Sequence, residues 1–247
     1  MRSTAMIMGM PITVDVVGAG PDDPVGAALR YFQEIDARFS PYKPDSEVSE
    51  FNRGKPAAAL SREMREILDL AEDTTRATDG YFDIRRPDGN VDPSGLVKGW
   101  AIRNAARLIA ERGYGDYFVD AGGDIQCSGH NGTGRPWRVG IRNPFDARES
   151  IKTLQPGDAG VATSGSYVRG AHIYNPRDPA DSLTDIVSVT VVARDIYDAD
   201  RFATAAFAMG RGGIDFIEKT AGLEGYAVDR RGIATMTSGF KKVVAPC

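Results

Sequence analysis

Only two cysteines, Cys127 and the terminal Cys247, and two histidines, His130 and His172, occur in 247 residues. So few cysteines exclude a multi-disulfide framework and a cysteine-built metal cluster, and they leave the redox compartment open. No apolar run approaches the roughly twenty residues that a membrane-spanning helix requires. Residues 1–17 lack the order of basic region, long apolar run and small-residue cleavage site that marks a signal peptide. For the chain as given the expectation is a cytoplasmic protein, which an export signal or lipid anchor encoded outside it would change. Positive charge is not in excess either: 30 Lys and Arg face 34 Asp and Glu, for a net charge of -4. Such a balance disfavours a surface built to neutralise nucleic-acid phosphates. What remains is globular in composition, with 42% hydrophobic and 26% charged residues, and long enough for one large domain or two interlocked lobes.

Residues 6–17 read as an apolar-biased strand. After Pro24, the residues Val25, Leu29, Phe32, Ile35 and Phe39 recur at three- and four-residue steps, which predicts a helix with a single apolar face. Ser61 as N-cap, Met64, Ile67, Leu68 and Ala71 facing inward and Gly80 as stop predict a second helix. A third follows Lys98 and ends at Gly113, with Trp100, Ala101, Ala105, Leu108 and Ile109 on its buried side. Past Gly113 short strand-like runs at 117–119, 137–141, 161–163 and 186–193 alternate with Gly, Asn and Pro clusters. Helices at 198–209 and 213–221 and a closing strand pair at 226–228 and 233–237 complete the pattern. Strands grouped apart from helices favour an α+β fold over a doubly wound sheet.

Several segments carry the residue types of a phosphate-handling site. Gly18-Ala19-Gly20 sits where a dinucleotide fingerprint would begin, but the third glycine position is Asp23, whose carboxylate would oppose a pyrophosphate. A polar loop is the better reading. In the segment 91–101 a turn around Gly95 feeds a helix beside Lys98. Free amides at a helix start favour an anion, the lysine adds a full positive charge, and the Gly95 carbonyl suits a hard cation. A capped helix with Lys98 in solvent accounts for the same spacing. Asp200 and Thr204 stand four residues apart and share a helix face, a pairing that serves either as Mg²⁺ ligands or as helix-terminal capping. The glycines of 120–124 permit either a tight turn or a ligand's close approach. His172 lies between short polar segments and is either structural or merely exposed, or else a general base or a hydrogen-bond donor to phosphate.

Taken in order, these segments resemble the ApbE family, the FAD:protein FMN transferases. The resemblance runs through Met8-Gly9-Met10, Tyr42 ahead of Ser46-Glu47 and Asn52, Gly80-Tyr81-Phe82-Asp83, and the stretches 92–101, 120–124 and 137–144. It continues through 162–166, 172–176, 189–192 and 200–210, and so extends over nearly the whole chain. The resemblance implies an α+β fold of two interlocked lobes, with largely antiparallel sheets flanked by helices. It implies flavin contacts from Met8, Tyr42, Tyr81, Phe82, Asp83, Asp92, Lys98 and Ile173, and a Mg²⁺ held by the Gly95 carbonyl, Asp200 and Thr204. Two departures from the family pattern stand out. Only the short bridge 84–90 joins Asp83 to Asp92 where many members carry a long helical insertion, and Ala203 occupies a position that is acidic in some.

The implied reaction moves the FMN part of FAD to a Thr or Ser hydroxyl of an acceptor protein and releases AMP. His172, or an acidic neighbour such as Asp83, would take the acceptor's proton, and Lys98 would neutralise charge on the phosphates. Water in place of the acceptor would make the same site a Mg²⁺-dependent FAD pyrophosphatase. A non-catalytic flavin-binding protein is the third reading.

Overall fold

Strict alternation of buried and less buried residues builds the second strand of the first hairpin. The computed structural model describes residues 1–18, 20, 22–165, 173–178, 180 and 183–246. In the second strand, β2 (Met10–Val16), Met10, Ile12, Val14 and Val16 are buried and the residues between them are not. That strand pairs antiparallel with β1 (Arg2–Ile7) in a register that sets Ile7 opposite Met10. The turn between them is Met8-Gly9, both at positive φ, the two-residue geometry that matches the twist of a hairpin. The segment 6–17, expected as a single strand, is therefore the end of one strand, a reversal and the next.

Six further strands complete an eight-stranded sheet in the order β1-β2-β3-β4-β7-β8-β9-β10. They are β3 (Tyr117–Ala121), β4 (Asp124–Ser128), β7 (Ala159–Gly165), β8 (Ile186–Ala193), β9 (Leu223–Asp229) and β10 (Ala234–Met236). Every pairing in it is antiparallel. A separate ribbon pairs β5 (Val139–Arg142) with β6 (Ser150–Leu154). Alternate residues of the central strands feed two apolar clusters. Ala162 and Val191 join the larger, with the helices, while their neighbours Val161 and Val192 join the smaller, with Val139, Ile141, Leu154 and Phe240. The fold is α+β, as expected.

The helices are α1 (Pro24–Phe39), α2 (Glu47–Asn52), α3 (Arg62–Ala77), α4 (Ser94–Ala110), α5 (Ile196–Ala208) and α6 (Gly213–Lys219). Ser61 caps α3 as expected, its hydroxyl accepting from the Met64 N–H at 3.0 Å. Among the boundaries that differ from expectation, two helix starts matter for the site. α4 begins four residues before Lys98, so that lysine projects from the helix rather than preceding it. The cap of α5 is Asp195, which accepts from the Tyr197 N–H at 2.9 Å, so Asp198 and Asp200 lie inside the helix. Asp200 has no capping task.

Tyr197 of α5 lies between two guanidinium groups, those of Arg103 and Arg201, each 4.8 Å from its ring centroid. Arg201 also donates to Thr74 of α3 at 3.1 Å, so one cluster ties α3, α4 and α5 together. α5 meets the sheet at Gly160, where an added Cβ would stand 2.3 Å from the Ile196 Cα and 2.4 Å from its nitrogen. Backbone there cannot yield as a flexible side chain does. Gly160→Ala is expected to destabilise the fold by about 1–3 kcal/mol, as overpacking does, whereas Gly132→Ala, with nothing within 4 Å, is expected to stay within about 0.5 kcal/mol. Urea unfolding of both variants checks the contrast.

Candidate active site

The start of α4 is set from two sides. Asn52, at the end of α2, clamps the backbone of Val91: its side chain donates to the Val91 carbonyl at 2.9 Å and accepts from the Val91 N–H at 2.8 Å. Asp92 then accepts from the Ser94 N–H at 3.1 Å and from the Ser94 hydroxyl at 2.5 Å, which turns the chain into the helix. Gly95 and Lys98 follow in its first turns. A Cβ at Gly95 would lie 3.5 Å from the Phe82 ring and 3.8 Å from the Thr204 methyl, so this turn faces α5.

One turn further on, Gly99 lets the two helices touch. A side chain there would meet the Asp200 Cβ at 2.8 Å and the Ile196 carbonyl at 3.1 Å. In its absence the Gly99 N–H donates to Asp200 Oδ2 at 2.8 Å. The Lys98 ammonium lies 3.2 Å from Asp200 Oδ1 and is also ion-paired with Asp124 Oδ2, from the first residue of β4. Asp124 Oδ1 accepts from the Thr163 N–H of β7 at 2.9 Å. Beside it, Ser164 Oγ and Thr204 Oγ1 are 3.4 Å apart. Gly95, Lys98, Asp200 and Thr204, far apart in sequence, thus converge with Asp124 and Ser164 where α4, α5, β4 and β7 meet.

Asp124 and Asp200 are 3% and 2% exposed, and the Lys98 side chain is 19% exposed. Burial pushes the Asp200 carboxyl well above the usual carboxylate range, an effect that Lys98 opposes and Asp124 reinforces. With both carboxyls ionised, two carboxylates face this ammonium among the described residues, and their negative charge is only partly balanced by it. Hard oxygens with uncompensated negative charge suit a divalent cation of the Mg²⁺ type. Among the described residues no group of three or more His, Cys, Asp and Glu side chains gathers as a metal site. A cation here would therefore depend on hydroxyl and carbonyl oxygens as well as on the carboxylate.

The other residues singled out in the sequence surround this centre less directly. Phe82 is 3% exposed and packs beneath Gly95. Asp83 accepts from the Arg85 N–H at 2.8 Å. Tyr81 carries the Arg177 guanidinium 5.0 Å from its ring centroid, and Arg177 is paired with Asp79 at 2.6 Å. Ile173 is half-buried against the main core, and the next residue, Tyr174, donates from its hydroxyl to the Arg85 carbonyl at 3.1 Å. These contacts clasp segment 173–177 onto the loop between Asp79 and Asp92. Met8 sits at the tip of the first hairpin, whose Met10 packs against Gly122. Tyr42 is 87% exposed and no described side chain stacks on it. His172 lies outside the described residues. The 92–101 and 120–124 segments had both drawn attention in the sequence, but the partnership of Asp124 with Lys98 had not, because β4 opens on a charged residue and did not read as a strand. A surface hollow of about 610 Å³ involving Glu34, Asp45, Glu47 and Glu50 shares no residue with this centre, and Glu47 there is engaged by Ser61.

A buried charge cluster with glycine-permitted backbone contact and no capping role is a candidate centre for chemistry. The ApbE family model matches residues 8–88 and 84–227. The FAD:protein FMN transferase of Vibrio cholerae serotype O1 is 28% identical over 239 aligned residues, covering 73% of this chain and 72% of that protein. That of Escherichia coli K12 is 32% identical over 175 residues, covering 67% of this chain and 48% of that protein. The fold is that of the flavin transferase ApbE from V. cholerae, with a TM-score of 0.87 at 24% identity and 98% coverage of both chains. It is also that of the ApbE protein of Thermotoga maritima, with a TM-score of 0.86 at 21% identity, covering 100% of this chain and 99% of that one. The chain belongs to the ApbE family and is an enzyme. No helix among the described residues is long and apolar enough to cross a membrane.

The clasp between Arg177, Tyr81 and Asp79 is exposed, so it contributes little to global stability and more to local order. Arg177→Ala is expected to leave the urea midpoint almost unchanged while speeding amide hydrogen exchange across 79–86. Unchanged exchange in that segment would show that the clasp does not hold the loop.

Proposed function

We propose that the protein is a Mg²⁺-dependent FAD:protein FMN transferase. The observation that carries this reading is the convergence of Gly95, Lys98, Asp200 and Thr204 at the facing turns of α4 and α5, in a chain whose curated relatives bear that name. In the reaction, a Thr or Ser oxygen of the acceptor protein forms a bond to the phosphorus on the FMN side of the diphosphate. The bond from that phosphorus to the bridging oxygen breaks, AMP leaves with the electron pair, and the hydroxyl proton passes to a base.

The Ser94, Leu96 and Val97 N–H groups at the start of α4 are engaged by Asp92 and the Pro93 carbonyl, so the Lys98 ammonium binds the diphosphate and offsets the charge that builds on it. The Gly95 carbonyl, Asp200 and Thr204 would hold Mg²⁺, which when bound supplies the further positive charge that phosphoryl transfer needs. Tyr42, exposed and unstacked, would cover the isoalloxazine ring, with Met8 as a polarizable apolar contact. Tyr81, Phe82, Asp83, Asp92 and Ile173 complete the flavin side, Phe82 as its buried floor. For the proton, His172 is preferred over Asp83, because one Asp83 oxygen is already engaged by the Arg85 N–H. The acceptor is a protein with a Thr/Ser flavinylation motif.

Incubation with FAD, Mg²⁺ and a peptide containing an Asp-x-x-(Ser/Thr)-(Gly/Ser)-Ala-Thr sequence is expected to release AMP and add the mass of FMN to the peptide. AMP without labelled peptide would identify a pyrophosphatase, and neither product would overturn the reading. Asp200→Ala is expected to abolish Mg²⁺-dependent turnover with the fold retained by circular dichroism; full activity would remove Asp200 from the cation site. Tyr42→Ala is expected to weaken FAD binding by roughly 1–3 kcal/mol, by analogy with base–aromatic stacking, at almost no cost in stability. Flavin fluorescence titration reads the first and thermal melting the second.

A further inference from the structure

We propose that Asp124 is a positioning residue for flavin transfer, acting as the dedicated counter-ion of Lys98 so that Asp200 is free to serve a cation. This inference rests on the reading above. The two carboxylates around the Lys98 ammonium are held differently. Asp200 comes from α5 and binds the backbone of α4 through Gly99, so both its oxygens face the helix pair that carries Gly95 and Thr204. Asp124 comes from the sheet: Oδ1 is fixed by the Thr163 N–H across the pairing of β4 with β7, and Oδ2 meets Lys98. It is 3% exposed, so the pair is shielded from solvent and its direction is set by the sheet. An ammonium on a long flexible stem needs such an anchor to meet a phosphate in one geometry.

The asymmetry has a chemical consequence. With Asp124 present, withdrawing Asp200 toward a cation still leaves Lys98 paired. Asp124 touches neither substrate nor the reacting atoms and works through Lys98, so its loss is felt in turnover more than in ground-state binding.

The test is a double-mutant cycle of Asp124→Asn and Lys98→Met, in which the asparagine keeps an oxygen for the Thr163 N–H and loses the charge. AMP release from FAD with Mg²⁺ gives kcat, and flavin fluorescence in chelator gives FAD affinity without metal. Asp124→Asn is expected to lower kcat by about 100-fold, to change FAD affinity by less than about threefold, and to add nothing to the loss already caused by Lys98→Met. Near-normal kcat in Asp124→Asn, losses that multiply in the double variant, or an affinity loss as large as the kcat loss would each overturn the proposal. If Asp124→Asn does not fold, Asp124→Ser, whose hydroxyl also accepts from Thr163, takes its place in the same cycle. Failure of the wild-type protein to cleave FAD would instead sink the flavin-transfer reading itself.

Discussion

The contact on which the geometry of the site depends is the one between the Gly99 N–H and the Asp200 carboxylate. Two helices distant in sequence approach closely only because residue 99 has no side chain, and at the point of closest approach one of them presents a buried acid. A carboxylate removed from water is costly unless it is paired and hydrogen-bonded. The Lys98 ammonium and the Gly99 N–H meet that requirement, and in doing so they fix where Gly95 and Thr204 fall. Packing and electrostatics are thus one constraint: any shift of α5 along α4 would break an ion pair and a hydrogen bond together.

The sheet supplies the second frame. β4 and β7 bring Asp124 and Ser164 to the helix pair, and the antiparallel order places those strands side by side in the middle, where neighbours on both sides hold them. Close approach at Gly160 seats the first turn of α5 on β7, and the Gln126 side chain of β4 accepts from the Ile196 N–H at 2.8 Å. The N-terminus of α5 is therefore anchored to the same two strands that deliver Asp124. Helix and sheet cannot move independently at the site.

Much of this was legible in the sequence, for identifiable reasons. α1 and α3 followed from a clean apolar stripe and, for α3, from Ser61, because a surface helix buries one face and exposes the other. β8 was read at its true limits, since a run of Val and Ile flanked by turn residues is how a strand buried on both faces looks. The helix face shared by Asp200 and Thr204 was visible from spacing alone. What escaped was set by tertiary contact. β4 begins with Asp124 and contains Gln126, both buried because they satisfy backbone amides elsewhere in the fold, a use of polar side chains that no periodicity records. β6 lies in a two-stranded ribbon with mostly polar residues, and α2 is one and a half turns long, held by the Ser46 cap rather than by an apolar stripe. The hairpin at Met8 was missed because a methionine at positive φ gives no turn signal of the usual Asn-Gly kind.

The displaced helix starts teach something more specific. Reading acidic residues near a helix start as caps is sound in general, yet here the cap of α5 is Asp195, and Asp200 lies a turn inward with nothing to cap. Once capping is satisfied five residues earlier, burying a second carboxylate has no benefit for the helix, and desolvation makes it a burden that Lys98 only partly offsets. The same holds for Lys98, which falls inside α4 instead of ahead of it and directs its ammonium between two acids instead of into solvent. A protein under selection for stability alone would fill such positions with well-packed apolar residues. Two buried carboxyls and a largely buried ammonium around a glycine contact are what a cation- or phosphate-binding site would need, at the point where the hydroxyls of Ser164 and Thr204 and the first turn of α4 face one another.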